Sequence, residues 1–233
     1  MTAQLNPRGD VAVLVPAAGA GVRLGPGGPK ALRLLRGEPL LVHAVRRIAA
    51  APSVRAIVIA APPADTTAVR ELLAPIADVI VVPGGAQRQE SVAAALRAVP
   101  PGPEIILVHD AARALAPALL VESVAEAVRA GHDAVIPVLP VVDTIKEVAA
   151  DETVLGTVDR GVLRAVQTPQ GFRREVLARA HASAAGPVTD DAGLVEKQGV
   201  RVQCVPGSAY ALKITSLFDL ALAEHLLGVP FPS

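Results

Sequence analysis

The chain has 233 residues, a length that suits one large α/β domain and allows a substantial buried core. Acidic and basic residues balance at 22 each and aromatic residues make up only 2%, so the chain lacks both the positive charge and the stacking side chains that are typical of nucleic-acid binding. Cys204 is the only cysteine, which excludes an internal disulfide and a cysteine metal cluster. An isolated cysteine is usually a small buried side chain, so we expect Cys204 to be buried and the protein to be in a reducing cytosol.

No segment indicates secretion or membrane insertion. Residues 1–10 are polar and lack the apolar stretch of a signal peptide. No later segment reaches the charge-free length of a membrane span. We therefore predict a cytoplasmic protein that acts away from membranes.

Strand-like and helix-like segments alternate along the first part of the chain. The first strand is the valine-rich run that begins at Val11, and it is apolar enough to be buried on both faces. Helices are predicted at residues 39–51, 64–73, 88–99 and 117–130, and further strands at 54–61, 78–82, 104–108 and 134–139. This alternation predicts a single α/β domain over residues 1–233 with a doubly wound, mostly parallel sheet. Such sheets bind ligands beyond the carboxyl ends of their strands.

The alternation ends after Val138. Residues 141–148 and 154–160 are short extended segments joined by a polar stretch, which predicts a protruding β-hairpin arm at about residues 140–160. Because an isolated hairpin is only marginally stable, we expect it to pack either against a second copy of the chain, in a homodimer, or against the edge of its own domain. The rest of the chain predicts helices at 174–185, 190–198 and 216–227 and a strand at 201–205.

A glycine-rich loop follows the first strand. Gly19, Gly21 and Gly25 lie near Arg23 and Lys30, and glycines let consecutive backbone N–H groups approach an anion closely. The spacing fits neither the dinucleotide fingerprint, because the third glycine comes one place too late, nor the Walker A motif, because no Ser or Thr follows the lysine. The loop therefore predicts a different cradle for a nucleoside triphosphate. A flexible surface loop is the alternative.

Two further clusters follow predicted strands. Asp110 comes directly after one, where a single carboxylate can hold Mg²⁺ together with substrate phosphates, or can cap the next helix. Its neighbour His109 is flanked by apolar residues and is expected to be structural. Gly84 and Gly85 follow another strand, and their loop is a candidate wall for a base or ribose, although paired glycines are also ordinary turn residues.

Eight short motifs occur in order along nearly the whole chain. They are Pro16-Ala17-Ala18-Gly19 with Arg23, Pro29-Lys30, Gly84-Gly85 with Arg88 and Ser91, His109-Asp110-Ala111-Ala112-Arg113, Asp143-Thr144-Ile145-Lys146, Thr168-Pro169-Gln170, Thr189-Asp190-Asp191-Ala192, and Lys213-Ile214-Thr215. Together they resemble one family, 2-C-methyl-D-erythritol 4-phosphate cytidylyltransferase of the non-mevalonate isoprenoid pathway. Eight motifs in register are far more specific than any one of them.

The resemblance implies a Mg²⁺-dependent reaction in which the phosphate of methylerythritol phosphate attacks the α-phosphorus of CTP and pyrophosphate leaves. It implies that Arg23, Lys30 and Lys213 are catalytic, since they would neutralise charge around the α-phosphate and the pyrophosphate. Asp110 would bind the metal ion and contact the nucleotide. The remaining nucleotide-binding residues implied are Pro16, Ala17, Ala18, Gly19, Gly85, Arg88, Ser91 and Ala111.

The resemblance also implies a binding site for methylerythritol phosphate that two subunits of a homodimer share. Thr144 and Arg160, on the hairpin, would bind the sugar phosphate in the partner's site. Arg113, Thr168 and Thr189 are the other substrate-binding residues implied.

The chain departs from the family pattern at a few positions. Many relatives carry an acid at Ala86, a proline at Ala114, a serine at Gly193, and an acid and Asn near Tyr210 and Ala211, so Asp110 is the only metal ligand predicted. Two alternatives remain. One is a cytidylyltransferase of the same superfamily that acts on another polyol phosphate, such as ribitol 5-phosphate. The other is a nucleotide-binding regulator that has kept the fold without catalysis.

Overall fold

A computed structural model describes residues 2–19, 28–183, 186 and 188–228 of the chain, and its main feature is an eight-stranded sheet. The strands of this sheet are β1 (Val11–Pro16), β4 (Val54–Ala61), β5 (Ile80–Pro83), β6 (Ile105–Val108), β7 (Ala134–Pro140), β10 (Arg164–Val166), β11 (Gln170–Arg173) and β12 (Val202–Pro206). Two short pairs lie outside it, β2 (Leu34–Leu35) with β3 (Glu38–Pro39) and β8 (Ile145–Val148) with β9 (Val154–Val158). The helices are α1 (Leu40–Ala49), α2 (Thr66–Leu73), α3 (Arg88–Arg97), α4 (Ala118–Arg129), α5 (Arg174–Ala182), α6 (Asp191–Glu196) and α7 (Leu217–Leu226).

The central sheet is mostly parallel. β1 pairs in parallel with β4 and β6, β4 with β5, and β7 with β12. β11 lies antiparallel between β6 and β7, and β10 runs antiparallel to the end of β7. The predicted mostly parallel sheet is confirmed, with two antiparallel strands in its later half.

Helices cover both faces of the sheet, and β1 shows how the sequence determines this arrangement. Val13 and Val15 face a core that also contains side chains of α1, α2 and α4. Ala12 and Leu14 face a second core with side chains of α3, α5 and α6. Because alternate residues of β1 enter different cores, all of them must be apolar, which explains the unbroken run in the sequence.

All of the predicted helices and strands are present, and their ends differ by a few residues. The prediction for α5 extends over residues 184–185, which lie outside the described residues. β2, β3, β10 and β11 were not predicted. β11 lacks an apolar run because α4 packs closely over it: a Cβ at Gly171 would lie 2.6 Å from Cγ1 of Val124.

One expectation about the core was wrong. Cys204 is exposed, whereas the composition predicted a buried side chain. The residue lies on β12, which pairs with β7 at the edge of the sheet, so its side chain remains in contact with solvent.

The predicted hairpin is present as β8 and β9. Ile145 pairs with Val158 and Lys146 with Thr157 in an antiparallel ladder that forms a sheet of its own. Its packing against a second copy of the chain stays a prediction. Within the described residues, the structure contains no helix whose length and hydropathy would let it cross a bilayer.

Candidate active site

A cleft of about 430 Å³ lies beyond the carboxyl ends of β1, β5 and β6, the edge at which parallel sheets bind their ligands. Three loops that follow these strands form most of its wall, and the segment before α7 closes one side. The lining residues are Pro16, Ala17, Ala18, Gly19, Lys30, Ala31, Gly85, Ala86, Gln87, Arg88, Ser91, Asp110, Ala111, Ala112, Lys213 and Thr215.

The loop after β1 brings backbone and charge to the cleft together. The N–H of Ala17 donates to the carbonyl of Ala60 at 2.8 Å, which extends the pairing with β4 beyond the end of the strand. The N–H of Lys30 donates to the carbonyl of Gly19 at 3.0 Å, so the two described ends of the glycine-rich loop meet at the wall. Arg23, predicted to be catalytic, lies outside the described residues.

The loop after β5 and the first turn of α3 form the second wall. The N–H of Gly85 donates to Oγ of Ser91 at 3.1 Å, which holds the loop against the helix. Gly84 also lets this loop approach the loop after β1, since a Cβ there would lie 2.7 Å from Cβ of Ala18. The N-terminus of α3, with the partial positive charge that favours anions, therefore lines the cleft through Gln87 and Arg88.

Asp110 follows β6 and is held by two cations. Its Oδ2 accepts a hydrogen bond from Nζ of Lys213 at 2.7 Å, and its Oδ1 lies 3.3 Å from Nε of Arg88. Burial of the carboxyl opposes its ionisation, but the charges of Arg88 and Lys213 outweigh that effect and hold the pKa of Asp110 well below its ordinary value. The carboxylate caps no helix, because α4 begins at Ala118 after Pro117. The capping alternative is therefore wrong.

Arg88 has a second anionic partner that sequence reasoning did not identify. Its Nη1 donates to Oδ2 of Asp191 at 2.6 Å, and Oδ1 of Asp191 lies 3.1 Å from Nε2 of His181. Both of these partners are buried, with side chains 2% and 5% exposed. The contact joins the start of α3 to α5 and α6, which are distant in sequence.

The two residues that follow Lys213 are held by hydrogen bonds. The N–H of Ile214 donates to the carbonyl of Ala112 at 2.9 Å, which ties the segment to the loop after β6. The hydroxyl of Thr215 donates to Oδ2 of Asp219 at 2.7 Å. That hydrogen bond is the main reason that the pKa of Asp219 is lowered to about 2. Lys213 therefore reaches Asp110 from a restrained backbone.

Arg113 and Thr168, predicted to bind substrate, lie behind the wall. The Arg113 guanidinium donates to the carbonyls of Ala211 at 2.6 Å and Val166 at 3.0 Å, so it fastens the segment before Lys213. Oγ1 of Thr168 accepts from the backbone N–H of Asp110 at 3.0 Å. Neither residue is among those that line the described cleft.

His109 is structural, as expected from its apolar flanks. It is 1% exposed, and burial lowers its pKa to about 4, so the imidazole is neutral near pH 7. Its Nδ1 lies 3.3 Å from Oγ1 of Thr168, which helps to fix the hydroxyl behind the cleft.

Thr144, Arg160 and Thr189 are not among the residues that line the described cleft of their own chain. All three are exposed. Nη1 of Arg160 donates to the carbonyl of Val142, so the start of the arm and the turn after β9 are held together.

Five residues that line the cleft lie in or beside the sequence motifs but were not predicted as site residues. They are Ala31, Ala86, Gln87, Ala112 and Thr215. Gln87 had a recognisable signal, since it forms a capping box with Glu90 at the start of α3, and this Gln-x-x-Glu spacing marks the helix terminus that faces the cleft.

A family model and individual proteins match this chain over nearly its whole length. Residues 11–229 match the family model of 2-C-methyl-D-erythritol 4-phosphate cytidylyltransferase. A protein of that name from Streptomyces avermitilis is 53% identical over 228 residues, with 93% of this chain and 91% of the relative covered. One from Frankia casuarinae is 56% identical over 223 residues, with 96% of this chain and 82% of the relative covered.

Solved structures match the fold. The 2-C-methyl-D-erythritol 4-phosphate cytidylyltransferase from Thermus thermophilus has a TM-score of 0.77 at 37% identity, with 94% of this chain and 100% of that chain covered. The 4-diphosphocytidyl-2C-methyl-D-erythritol synthase from Anaerococcus prevotii has a TM-score of 0.82 at 25% identity, with 95% and 99% covered.

Proposed function

Because the chain belongs to the 2-C-methyl-D-erythritol 4-phosphate cytidylyltransferase family, we propose that the described cleft is where it joins CTP to methylerythritol phosphate. The phosphate oxygen of the acceptor forms a bond to the α-phosphorus of CTP, and the bond from that phosphorus to the bridging oxygen breaks. The products are 4-diphosphocytidyl-2-C-methyl-D-erythritol and pyrophosphate. The observation that carries the assignment is the group of cations, Lys30, Arg88 and Lys213, that lines the cleft around Asp110.

The chemistry needs positioning and positive charge more than a general base. A phosphate monoester is already an anionic nucleophile near neutral pH. Two anions must be brought together, and negative charge develops on the phosphoryl oxygens, so preorganised cations supply the largest contribution. Lys30 and Lys213 lie on the cleft wall where they can provide it. Arg23 is proposed as a third catalytic cation on the strength of its motif.

The nucleotide is proposed to lie along the loops after β1 and β5. A volume of about 430 Å³ is within the range of small-molecule sites. The wall offers backbone groups of Ala17, Ala18 and Gly19 beside the N-terminus of α3, which favours phosphates. The other nucleotide contacts proposed are Pro16, Gly85, Ser91 and Ala111.

Asp110 is the residue proposed to hold Mg²⁺. It is the one carboxylate that lines the cleft within the described residues, and its low pKa keeps it ionised. Mg²⁺ binds through one or two carboxylates together with substrate phosphates, so this donor set fits. A bound magnesium ion would neutralise charge on the triphosphate. A triphosphate in the cleft would also offer Lys213 a second anionic partner in place of Asp110.

A homodimer through the hairpin arm is proposed because the arm exposes apolar side chains that could form an interface and the two polar residues that are predicted to bind substrate. Val142, Val154, Leu155 and Val162 are exposed by 76%, 56%, 63% and 78%. Contiguous exposed apolar residues mark interaction surfaces. An arm that packs against a second copy would bury them and carry Thr144 and Arg160 toward the partner's cleft.

The remaining assignments are proposals of the same kind. Arg113 and Thr168 support the wall from behind and are proposed to act on substrate through the segments that they hold. Thr189 keeps its proposed role on the strength of its motif. A single domain and a cytoplasmic location are proposed for the whole chain.

Pyrophosphate release tests the proposed function directly. The protein is incubated with Mg²⁺ and each of the four nucleoside triphosphates, with methylerythritol phosphate or ribitol 5-phosphate as acceptor. We expect release that requires both CTP and methylerythritol phosphate, and the Lys213→Ala variant serves as the control. Release with ribitol 5-phosphate alone would assign a different acceptor. CTP binding without release would favour a regulator.

A further inference from the structure

The Arg88 guanidinium bridges two carboxylates, one at the cleft and one behind it. Asp110 lines the cleft and lies 3.3 Å from Nε of Arg88. Asp191 lies behind the wall and accepts from Nη1 at 2.6 Å. Arg88 therefore makes its shorter hydrogen bond to Asp191, which is not among the residues that line the described cleft. Charge-assisted bonds of this length are the stronger kind, so Asp191 has the larger share in fixing the guanidinium.

Asp191 is itself held rigidly. It is the first residue of α6 and its side chain is 2% exposed. Burial opposes its ionisation, but the hydrogen bond from His181 and the charge of Arg88 outweigh this and lower the pKa of Asp191. The carboxylate therefore remains charged and keeps both partners.

His181 orients the carboxylate from the opposite side. Its Nε2 lies 3.1 Å from Oδ1 of Asp191, so this nitrogen must carry the hydrogen and donate it. The imidazole lies on α5, which packs against α6. A row of polar contacts, buried at His181 and Asp191 and partly exposed at Arg88, thus runs from His181 to Asp110 at the cleft.

The structure assigns Asp191 as a positioning residue for the nucleotidyl transfer: it holds Arg88, through which it sets the orientation of Asp110 at the cleft. This inference rests on the proposed function of the cleft. Without the Asp191 charge, the guanidinium would keep at most a weaker, neutral hydrogen bond at that position and would turn toward Asp110 or the nucleotide phosphates. The group that meets CTP would then be misplaced even though no residue of the cleft wall had changed.

A double-mutant cycle tests this role. The variants are Asp191→Asn, Arg88→Gln and the two combined, each measured for kcat and KM with CTP and methylerythritol phosphate. We expect Asp191→Asn to lower kcat and kcat/KM together by about tenfold to a hundredfold, the range for residues that orient a ligating group from behind. In the Arg88→Gln background, the same substitution should cause no further loss. A merely structural role would lower activity by the same factor in both backgrounds.

Asp190→Asn is the matched control. Asp190 precedes Asp191, and its carboxylate caps α6 through the N–H of Gly193 at 3.0 Å and accepts from Gln170 at 2.7 Å, so its loss weakens the same helix without touching Arg88. Its effect on turnover should be the same in both backgrounds. Equal factors for Asp191→Asn in both backgrounds, or wild-type turnover in that variant, would overturn the inference.

A second pair of variants covers the case in which Asp191→Asn does not fold. His181→Gln keeps a donor for Asp191, whereas His181→Leu removes it. We expect the leucine variant to lose more turnover than the glutamine variant, and the difference to vanish in the Arg88→Gln background. Equal losses would overturn the inference. Wild-type turnover of Arg88→Gln would overturn the proposed role of Arg88 in the cleft and, with it, this inference. A loss of turnover in Arg88→Gln together with equal losses in the two His181 variants would overturn this inference alone.

Discussion

The cleft and the hairpin arm differ in how their side chains are partnered. In the cleft, Asp110 contacts Lys213 and Arg88, and each of these side chains extends from a backbone that other hydrogen bonds restrain. On the arm, valine and leucine side chains of β9 and its flanks are exposed, and the strands pair only with each other. The carboxylate of the cleft is paired with cations of its own chain, whereas the arm exposes apolar surface that a globular protein normally buries.

The difference separates two kinds of functional surface. Ionic groups in a cleft are costly to bury alone, so they are paired before substrate arrives and need no second subunit. An exposed hairpin gains most of its stability by burying its apolar face against a partner. This difference is why we propose that the cleft performs the chemistry and that the arm completes the acceptor site in a dimer.

The largest expected effect comes from the cleft cations. Lys213→Ala and, separately, Lys30→Ala should fold normally and lose turnover by 100-fold or more, because removing one preorganised donor typically costs about 3 to 4 kcal/mol in the transition state. Steady-state pyrophosphate release measures kcat for each variant. Lys197→Ala is the matched control, since Lys197 is exposed at the end of α6 and away from the described cleft. Wild-type turnover in either folded lysine variant would contradict the assignment of the cleft as the active site.

A smaller effect is expected on the arm. Leu155→Asp places a charge on the exposed apolar surface, and a leucine buried at an interface contributes about 1.5 to 3 kcal/mol, so dimerisation should weaken at least about tenfold. Sedimentation across a range of concentrations measures this. Leu119→Asp is the matched control, because Leu119 is 79% exposed on α4, away from the arm. An unchanged association constant for Leu155→Asp would show that the arm does not form the dimer interface.

The smallest effect concerns the helix cap beside Lys213. Asp219→Ala removes the capping box of α7 and should cost about 1 kcal/mol of the free energy of unfolding at pH 7. The pKa of Asp219 falls from 3.8 to about 2 on folding, so its contribution is complete above pH 4 and is lost as the pH falls toward 2. Denaturant unfolding of both proteins at pH 7 and near pH 2 measures the difference. A difference that persists undiminished at low pH would exclude the ionised cap.

The sequence was sufficient to predict the helices and strands whose hydrophobic pattern lies within one continuous segment. The apolar run of β1 and the periodicity of α1 to α4 predicted the sheet and its helices, because burial on one or both faces leaves a repeating signature. β11 was not predicted, because its residues fit the contacts that α4 and the neighbouring strands make with it and follow no local pattern. The close packing at Gly171 is an example.

The site was partly predictable for the same reason. The ends of β1, β5 and β6 are recognisable from sequence, so Gly19, Gly85 and Asp110 were expected at one edge of the sheet. The contact of Arg88 with Asp191 joins residues 103 positions apart and leaves no local signal. Only the folded chain brings them together.

Mixed dimers provide the most direct test of the shared acceptor site. A Thr144→Ala/Arg160→Ala chain and a Lys213→Ala chain carry different affinity tags, and heterodimers are isolated through both. Each homodimer should be nearly inactive. In the heterodimer, the intact arm of one chain meets the intact cleft of the other, so one of its two sites is complete and about half of the wild-type turnover is expected. Activity no higher than that of the two variant homodimers would contradict a site formed by the cleft of one chain and the arm of its partner.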